Sequence, residues 1–294
     1  MLLSTRSAQR FAPTRQEEGG AEDGPLAQGR EFLWSDADFK RIKALIYQKA
    51  GINLHEGKHA MVYSRVSRRL RETGHTSFKG YLDWLEHHDG AEWQDFINAL
   101  TTNLTAFFRE QHHFTELEAL LKTDRSRNWR IWCSAASTGE EPYSIAMTAM
   151  EALGPQGQFH IDNSDIDTQV LSKAARGVYK ADGIKGINPE RLQRFFMRGK
   201  DSNAGLIRVK PELQKHMAFQ TVNLIQELPF RDPYDVVFCR NVMIYFDAAT
   251  QRQVLERIHR VMKPGGMLFV GHAENFSDAR SLFALRGKTV YERV

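Results

Sequence analysis

Arg240, Asn241 and Tyr245 fall within one short stretch, Arg240-Asn241-Val242-Met243-Ile244-Tyr245-Phe246, directly after the apolar run Tyr234-Asp235-Val236-Val237-Phe238-Cys239. A guanidinium, an amide and a phenol delivered together suit the binding of a polar ligand better than packing, and loops on rigid scaffolds commonly carry function. A second stretch, Ser134-Ala135-Ala136-Ser137-Thr138-Gly139-Glu140-Glu141-Pro142, offers small residues that let a ligand approach the backbone. It is not Gly-x-Gly-x-x-Gly, so a phosphate cradle is poorly supported. Glu140 at this turn suits a positively charged ligand. A third stretch, Asn163-Ser164-Asp165-Ile166-Asp167, places Asp165 where nucleotide-binding sheets hold ribose hydroxyls. Helix capping is the competing explanation for Glu140 or Asp165 taken singly. Together they favour a nucleoside without phosphates, such as the sulfonium cofactor S-adenosyl-L-methionine.

These groups must be positioned by strand ends. Tyr234–Cys239 reads as a buried strand. Before it come strand Arg130–Ala136, helix Glu141–Leu153, strand Phe159–Ser164 and helix Thr168–Arg176. After it come helix Ala248–Met262, a turn at Pro264-Gly265-Gly266, strand Met267–Gly271, and antiparallel strands from Leu282 to Val294. Alternation with short loops predicts an α/β fold with a doubly wound sheet, in which ligands lie beyond the carboxyl ends of the strands. Short runs at Arg194–Arg198, Leu206–Val209 and Met217–Val222 interrupt the alternation and predict a small inserted antiparallel β-subdomain over about residues 191–222. A lone meander is marginal in water, so it must pack on its host or bind something, and its open edge can recruit a peptide.

The N-terminal third differs. Residues 1–30 are polar and glycine-containing and are expected to be a disordered tail. Residues 31–102 carry helical periodicity: Phe39, Ile42, Leu45 and Ile46 after a cap at Ser35 or Asp36, then Val62, Val66 and Leu70 on a helix from Gly57 to Thr73. Tyr81, Leu82 and Leu85 mark a third helix, and Trp93, Phe96, Ile97 and Leu100 a fourth. This is an N-terminal all-α domain, with the α/β domain spanning 103–294. On the second helix Lys58, Arg65 and Arg68 share one face, flanked by Arg69 and Arg71. A solvated face and an electrostatic docking surface both fit that pattern.

Composition sets outer limits. The 294 residues suggest two domains, and 41% hydrophobic content argues against wholesale disorder. A net charge of +4 is compatible with an acidic partner without requiring nucleic acid. Cys133 and Cys239 lie in predicted core strands and read as buried hydrophobes of a reducing cytoplasm, so neither a disulfide nor a metal site is expected. His112 and His113 read as structural or surface residues. No leader segment or membrane span is evident, and the absence of a heptad seam points to a monomer.

Four motifs carry a family resemblance: Asn103-Leu104-Thr105-Ala106-Phe107-Phe108-Arg109-Glu110, Ala136-Ser137-Thr138-Gly139-Glu140-Glu141-Pro142-Tyr143-Ser144, Ser164-Asp165-Ile166-Asp167 and Phe238-Cys239-Arg240-Asn241-Val242-Met243-Ile244-Tyr245-Phe246. In this order they resemble the chemotaxis-receptor methyltransferases, the CheR family, over about Leu33 to Val294. The resemblance implies a Rossmann-like methyltransferase sheet and transfer of a methyl group from S-adenosyl-L-methionine to chemoreceptor glutamates, leaving S-adenosyl-L-homocysteine. It implies cofactor contacts from Asn103, Thr105, Arg109, Glu140, Asp165, Asn223, Leu224, Arg240 and Asn241, with Arg109 and Tyr245 at the transfer centre. It raises the docking reading of Lys58, Arg65, Arg68 and Arg69, because chemoreceptor methylation helices are acidic. It also implies a receptor C-terminal peptide as partner of the β-subdomain, whose loop Gly199–Gly205 departs from the family's usual middle residues. A nucleic-acid methyltransferase would normally carry an Asn-Pro-Pro-Tyr-like or catalytic cysteine motif where Arg240-Asn241-Val242-Met243 stands. A non-catalytic receptor-binding module would be expected to lack Arg109, Asp165 or Tyr245.

Overall fold

The computed structural model describes residues 30–184, 186–276 and 279–294. All but Arg30 of the expected tail lies outside them. Four helices, α1 (Asp36–Ala50), α2 (His59–Thr73), α3 (Phe78–His87) and α4 (Ala91–Leu100), close around Phe39, Ile46, Val62, Leu70, Tyr81 and Phe96. Ser35 opens α1 with a reciprocal capping box to Asp38, and Gly51 ends it at φ 72°. A Cβ on Gly51 would meet Ile225 Cγ2 at 2.6 Å, so a side chain there would wedge the helical domain off its neighbour.

The second domain begins with α5 (His112–Lys122), β1 (Trp129–Cys133), α6 (Glu140–Leu153), β2 (Phe159–Asp165) and α7 (Thr168–Arg176). Next come β3 (Val178–Lys180), α8 (Pro189–Phe195), β4 (Phe196–Arg198), β5 (Leu206–Val209), α9 (Pro211–Gln214) and β6 (Met217–Thr221). The chain finishes with β7 (Tyr234–Cys239), α10 (Ala248–Arg260), β8 (Met262–Val270), β9 (Phe283–Gly287) and β10 (Val290–Arg293). The main sheet has the order β6-β2-β1-β7-β8-β10-β9. Its first five strands in that order pair in parallel, and β10 runs antiparallel to both neighbours. The chain leaves β1 in one direction for β2 and β6 and returns on its other side as β7 and β8. That reversal opens a crevice at the carboxyl ends of β1 and β7. Every residue of β7 is buried, as a mostly apolar strand in a parallel sheet should be, and its one charge, Asp235, pairs with Arg127 and Lys263.

The inserted subdomain differs from its expected limits of about 191–222. Met217–Thr221 does not belong to it: as β6 it pairs in parallel with β2, Ile161 opposite Met217 through Asp165 opposite Thr221. The third strand of the small sheet is β3, which lies before that range, and the order is β3-β5-β4. A three-residue strand is too short to show periodicity, and adjacency along the chain does not fix pairing. Here α9, opened by Pro211, sends the chain back to the main sheet. The strand expected over Arg130–Ala136 stops at Cys133, because the turn after it needs Ser137 at φ 49°. The expected turn at Pro264-Gly265-Gly266 lies inside β8 as an irregularity.

Candidate active site

A cavity of about 310 Å³ lies between the two domains, over the carboxyl ends of β1, β2, β6 and β7. That size falls within the range of small-molecule sites. The helical domain supplies Ile52, Asn53, Leu54, His55 and Lys58 to one wall, and the interdomain segment supplies Asn103, Thr105 and Arg109. Ser137, Glu141, Asp165, Asn223, Leu224, Arg240, Asn241 and Tyr245 complete the lining. Hydrogen bonds clamp the domains around it. Asn53 N donates to Tyr245 O at 2.8 Å, Tyr47 Oη to Asp247 at 2.8 Å, and Asn223 Nδ2 to Lys49 O at 2.7 Å.

Asp165 ends β2 and is 7% exposed. It accepts from Ser137 N at 2.8 Å and Asp167 N at 2.9 Å. Burial nevertheless pushes its carboxyl up to about 6, with the charge of Asp167 adding to the shift. Asp167 caps α7, and its other oxygen accepts from Thr101 Oγ1 at 2.6 Å and Asn103 Nδ2 at 2.7 Å. Asn103 O in turn accepts from Ser137 Oγ at 3.2 Å. The interdomain segment is thus fastened to the acidic turn.

Arg240 is the charged centre of the opposite wall. Its side chain is fully buried and pairs with Glu141 and, at 3.2 Å, with Glu110. Its Nη2 also donates to Arg109 O at 2.7 Å. Burial alone would lower its pKa; the two carboxylates outweigh that and raise it. Asn241 sits at φ 57°, in the left-handed region, and its N–H donates to Glu274 at 2.9 Å. Buried Glu274 also accepts from Gly271 N at 2.5 Å and Met243 N at 2.8 Å. A Cβ at Gly271 would meet Asn241 N at 2.8 Å, so the two loops approach too closely for a side chain there. Phe108, Glu110 and Ser137 share positive φ, so unfavourable backbone is concentrated around this cavity, as at many functional sites.

The structure separates the expected residues. Asn103, Thr105, Arg109, Asp165, Asn223, Leu224, Arg240, Asn241 and Tyr245 all face the one cavity. Glu140 does not. It accepts from Thr138 Oγ1 at 2.6 Å and lines a separate hollow with Phe107, Tyr179 and Lys180. Successive helix residues point about 100° apart, so starting α6 at Glu140 turns Glu141 into the cavity instead. Of the expected docking residues, Lys58 reaches the cavity wall and Arg68 stays 75% exposed, paired with Glu72. Arg65 and Arg69 turn inward. Arg65 donates to Thr101 O at 2.5 Å, and Arg69 is 12% exposed and pairs with Glu92, Glu72 and Asp95. Arg65 braces α2 on the carboxyl end of α4, where carbonyls lack helical partners, and Arg69 braces it on acids near the start of α4. His113 is buried, as expected of a structural residue, with its imidazole held neutral: burial, aided by Arg240, lowers it to about 3. Sequence reasoning missed Glu141, Glu110, Asp167 and Glu274. The first three adjoin noted residues; nothing in the sequence marks Glu274.

A parallel sheet with one antiparallel strand inserted beside its edge, an acid closing the second strand and buried carboxylates facing the cavity define the S-adenosylmethionine-dependent methyltransferase class. The donor set fits that cofactor: Asp165 is a buried acid able to accept from ribose hydroxyls, and Glu141 is a second acid on the cavity wall. Residues 103–291 match the family described as CheR methyltransferase, SAM binding domain, and residues 37–101 match CheR methyltransferase, all-alpha domain. The chain is 52% identical to a chemotaxis protein methyltransferase of Escherichia coli over 270 residues, covering 90% of this chain and 94% of that one. It is also 52% identical to one of Salmonella typhimurium over 269 residues, covering 90% and 93%. It is 46% identical to chemotaxis protein methyltransferase 2 of Pseudomonas aeruginosa over 271 residues, covering 91% and 96%. The chain belongs to the CheR methyltransferase family, and its activity is S-adenosylmethionine-dependent methylation of chemoreceptors. No helix among the described residues is long and apolar enough to cross a membrane.

Proposed function

We propose that the chain esterifies glutamate side chains on the cytoplasmic, acidic helices of methyl-accepting chemoreceptors. The observation that carries this reading is that one cavity brings together Asp165, an acid suited to ribose hydroxyls, with Arg109 and Tyr245, a cation and a phenol suited to an acceptor carboxylate. A glutamate carboxylate is ionised at neutral pH and needs no deprotonation. The bound cofactor supplies an electrophilic methyl on sulfur. A carboxylate oxygen attacking that methyl would yield a neutral ester and leave a neutral thioether.

The chain's residues have positioning and electrostatic roles. Asp165 accepts the ribose hydroxyls, and Leu224 and Asn223 flank the base. Asn223 is held for that role by its bond to Lys49 O. Glu141 and Arg240 face the amino-acid end, and Tyr245 donates near sulfur or the incoming oxygen. Arg109, whose Nη1 donates to Leu104 O at 3.0 Å, steers the acceptor carboxylate into line. Arg109→Ala is expected to lower kcat by about 10²–10³-fold, the usual loss on removing one stabilising donor. Near-normal turnover would remove its assigned role.

Docking falls to Lys58 and Arg68, because Arg65 and Arg69 are engaged within the helical domain. Arg68→Glu is expected to raise KM for a receptor cytoplasmic fragment about threefold or more at low salt, with the difference shrinking as salt screens it. An unchanged KM at low salt would move docking elsewhere. The small sheet β3-β5-β4 remains the proposed seat of a receptor C-terminal peptide. A monomer working in the cytoplasm fits this reading.

A further inference from the structure

Glu110, His112 and His113 meet where α5 begins, behind Arg240. Each offers one ligand atom, and these atoms lie within 4.8 Å of one another. His112 Nε2 and His113 Nδ1 are buried and have no hydrogen-bond partner, and Glu110 Oε2, also buried, has only its ion pair with Arg240 at 3.2 Å. The His113 side chain is 0% exposed, so water outside the protein cannot satisfy it. Its tautomer follows from its surroundings. Thr289 Oγ1 donates to Lys288 O at 2.7 Å, so the same oxygen accepts from His113 Nε2 at 2.8 Å. That leaves a bare lone pair on Nδ1, which faces Glu110 Oε2 at 3.6 Å. Arg240 offsets the carboxylate from one side, while the two imidazole nitrogens that face it, His112 Nε2 and His113 Nδ1, are left with lone pairs a cation can use.

We infer that Glu110, His112 and His113 form a binding site for a divalent transition metal of the zinc class. Two imidazoles and a carboxylate are a known three-ligand zinc set that leaves the fourth position to water. Ligand atoms about 2.0–2.1 Å from a tetrahedral ion stand about 3.4 Å apart, so the Nδ1–Oε2 edge is nearly at its working length. Thr289 plays the outer part that fixes a metal-bound imidazole's orientation. The site is not isolated. Glu110 Oε2 is shared with Arg240 at 3.2 Å, and Arg240 pairs with Glu141 in the cofactor cavity. A cation that draws on Glu110 therefore alters the balance of charge at the cavity.

The test uses the full chain after dialysis against a chelator, titrated with Co²⁺ alone and then with Zn²⁺. One equivalent of Co²⁺ should give the intense visible bands of four-coordinate cobalt, and Zn²⁺ should displace it. His112→Ala removes a half-buried ligand and should weaken binding at least tenfold. His87→Ala, on the exposed end of α3, should leave binding unchanged. If His112→Ala fails to fold, Glu110→Gln serves the same purpose. Saturating Zn²⁺ should also shift the affinity for S-adenosyl-L-homocysteine in the parent chain and not in His112→Ala. Absence of four-coordinate bands, or equal binding by His112→Ala, would overturn the site and assign the three atoms to a shared buried water.

Discussion

Arg240→Ala should both unfold the methyltransferase domain at lower temperature and abolish cofactor binding. The side chain is fully buried between Glu110 and Glu141. Removing it strands two buried carboxylates, and breaking a buried pair in this way costs about 3–5 kcal/mol. For a domain of this size that corresponds to a fall in Tm of roughly 6–20 °C. Calorimetry of the unliganded chain reads the first effect and titration with S-adenosyl-L-homocysteine the second. Arg240→Lys should recover only part of either, because a single ammonium cannot meet Glu110, Glu141 and the Arg109 carbonyl together. A variant as stable as the parent would mean that the two acids find water or protons instead.

Asp165→Ala should behave oppositely: cofactor affinity falls while the fold survives. Two charge-assisted hydrogen bonds from ribose hydroxyls are worth roughly 1.5–3 kcal/mol each, so a loss of at least about 10²-fold is expected. The carboxyl sits near 6 because burial disfavours its charge. Hydroxyl donors favour the ionised form, so ligand binding lowers this pKa. Affinity is then full above about pH 7 and weakens as pH falls through 6, by up to about tenfold per unit. In the unliganded protein the sign reverses. A carboxyl raised from 3.8 to about 6 on folding adds stability as pH falls between those values, since the folded chain takes up the proton first. Titration at several pH values checks this; a flat affinity profile from pH 5 to 8, with Asp165→Ala binding normally, would displace Asp165 from the ribose role.

What the sequence disclosed and what it hid divide along physical lines. Long periodic segments were legible: the apolar run of β7, the stripe Val62–Val66–Leu70 of α2, and the strand-helix alternation all appear where expected. Asp165, Arg240 and Asn241 were legible because a strand end fixes where the next residues go. Strand pairing was not. Met217–Thr221 reads as one more short strand of a meander, and only the return of the chain through α9 puts it on the edge of the main sheet. That placement matters, since it delivers Asn223 and Leu224 to the cavity. Side-chain direction at a helix start was also hidden. Glu140 and Glu141 are equivalent acids in sequence, and a shift of one residue in where α6 begins decides which one faces Arg240. The partners of the basic face of α2 were hidden for a related reason. Charges that look solvated in a linear pattern met acids and carbonyls from α4, a partner that periodicity does not reveal.

The most direct test incubates the purified chain with methyl-labelled S-adenosyl-L-methionine and a chemoreceptor cytoplasmic fragment, then locates the label by mass spectrometry. The expected result is label on glutamate side chains of the receptor's acidic helices, released as methanol by mild base, and accumulating far more slowly with Arg109→Ala. Label on another residue type, label stable to base, or no transfer from a chain that binds the cofactor would contradict glutamate esterification.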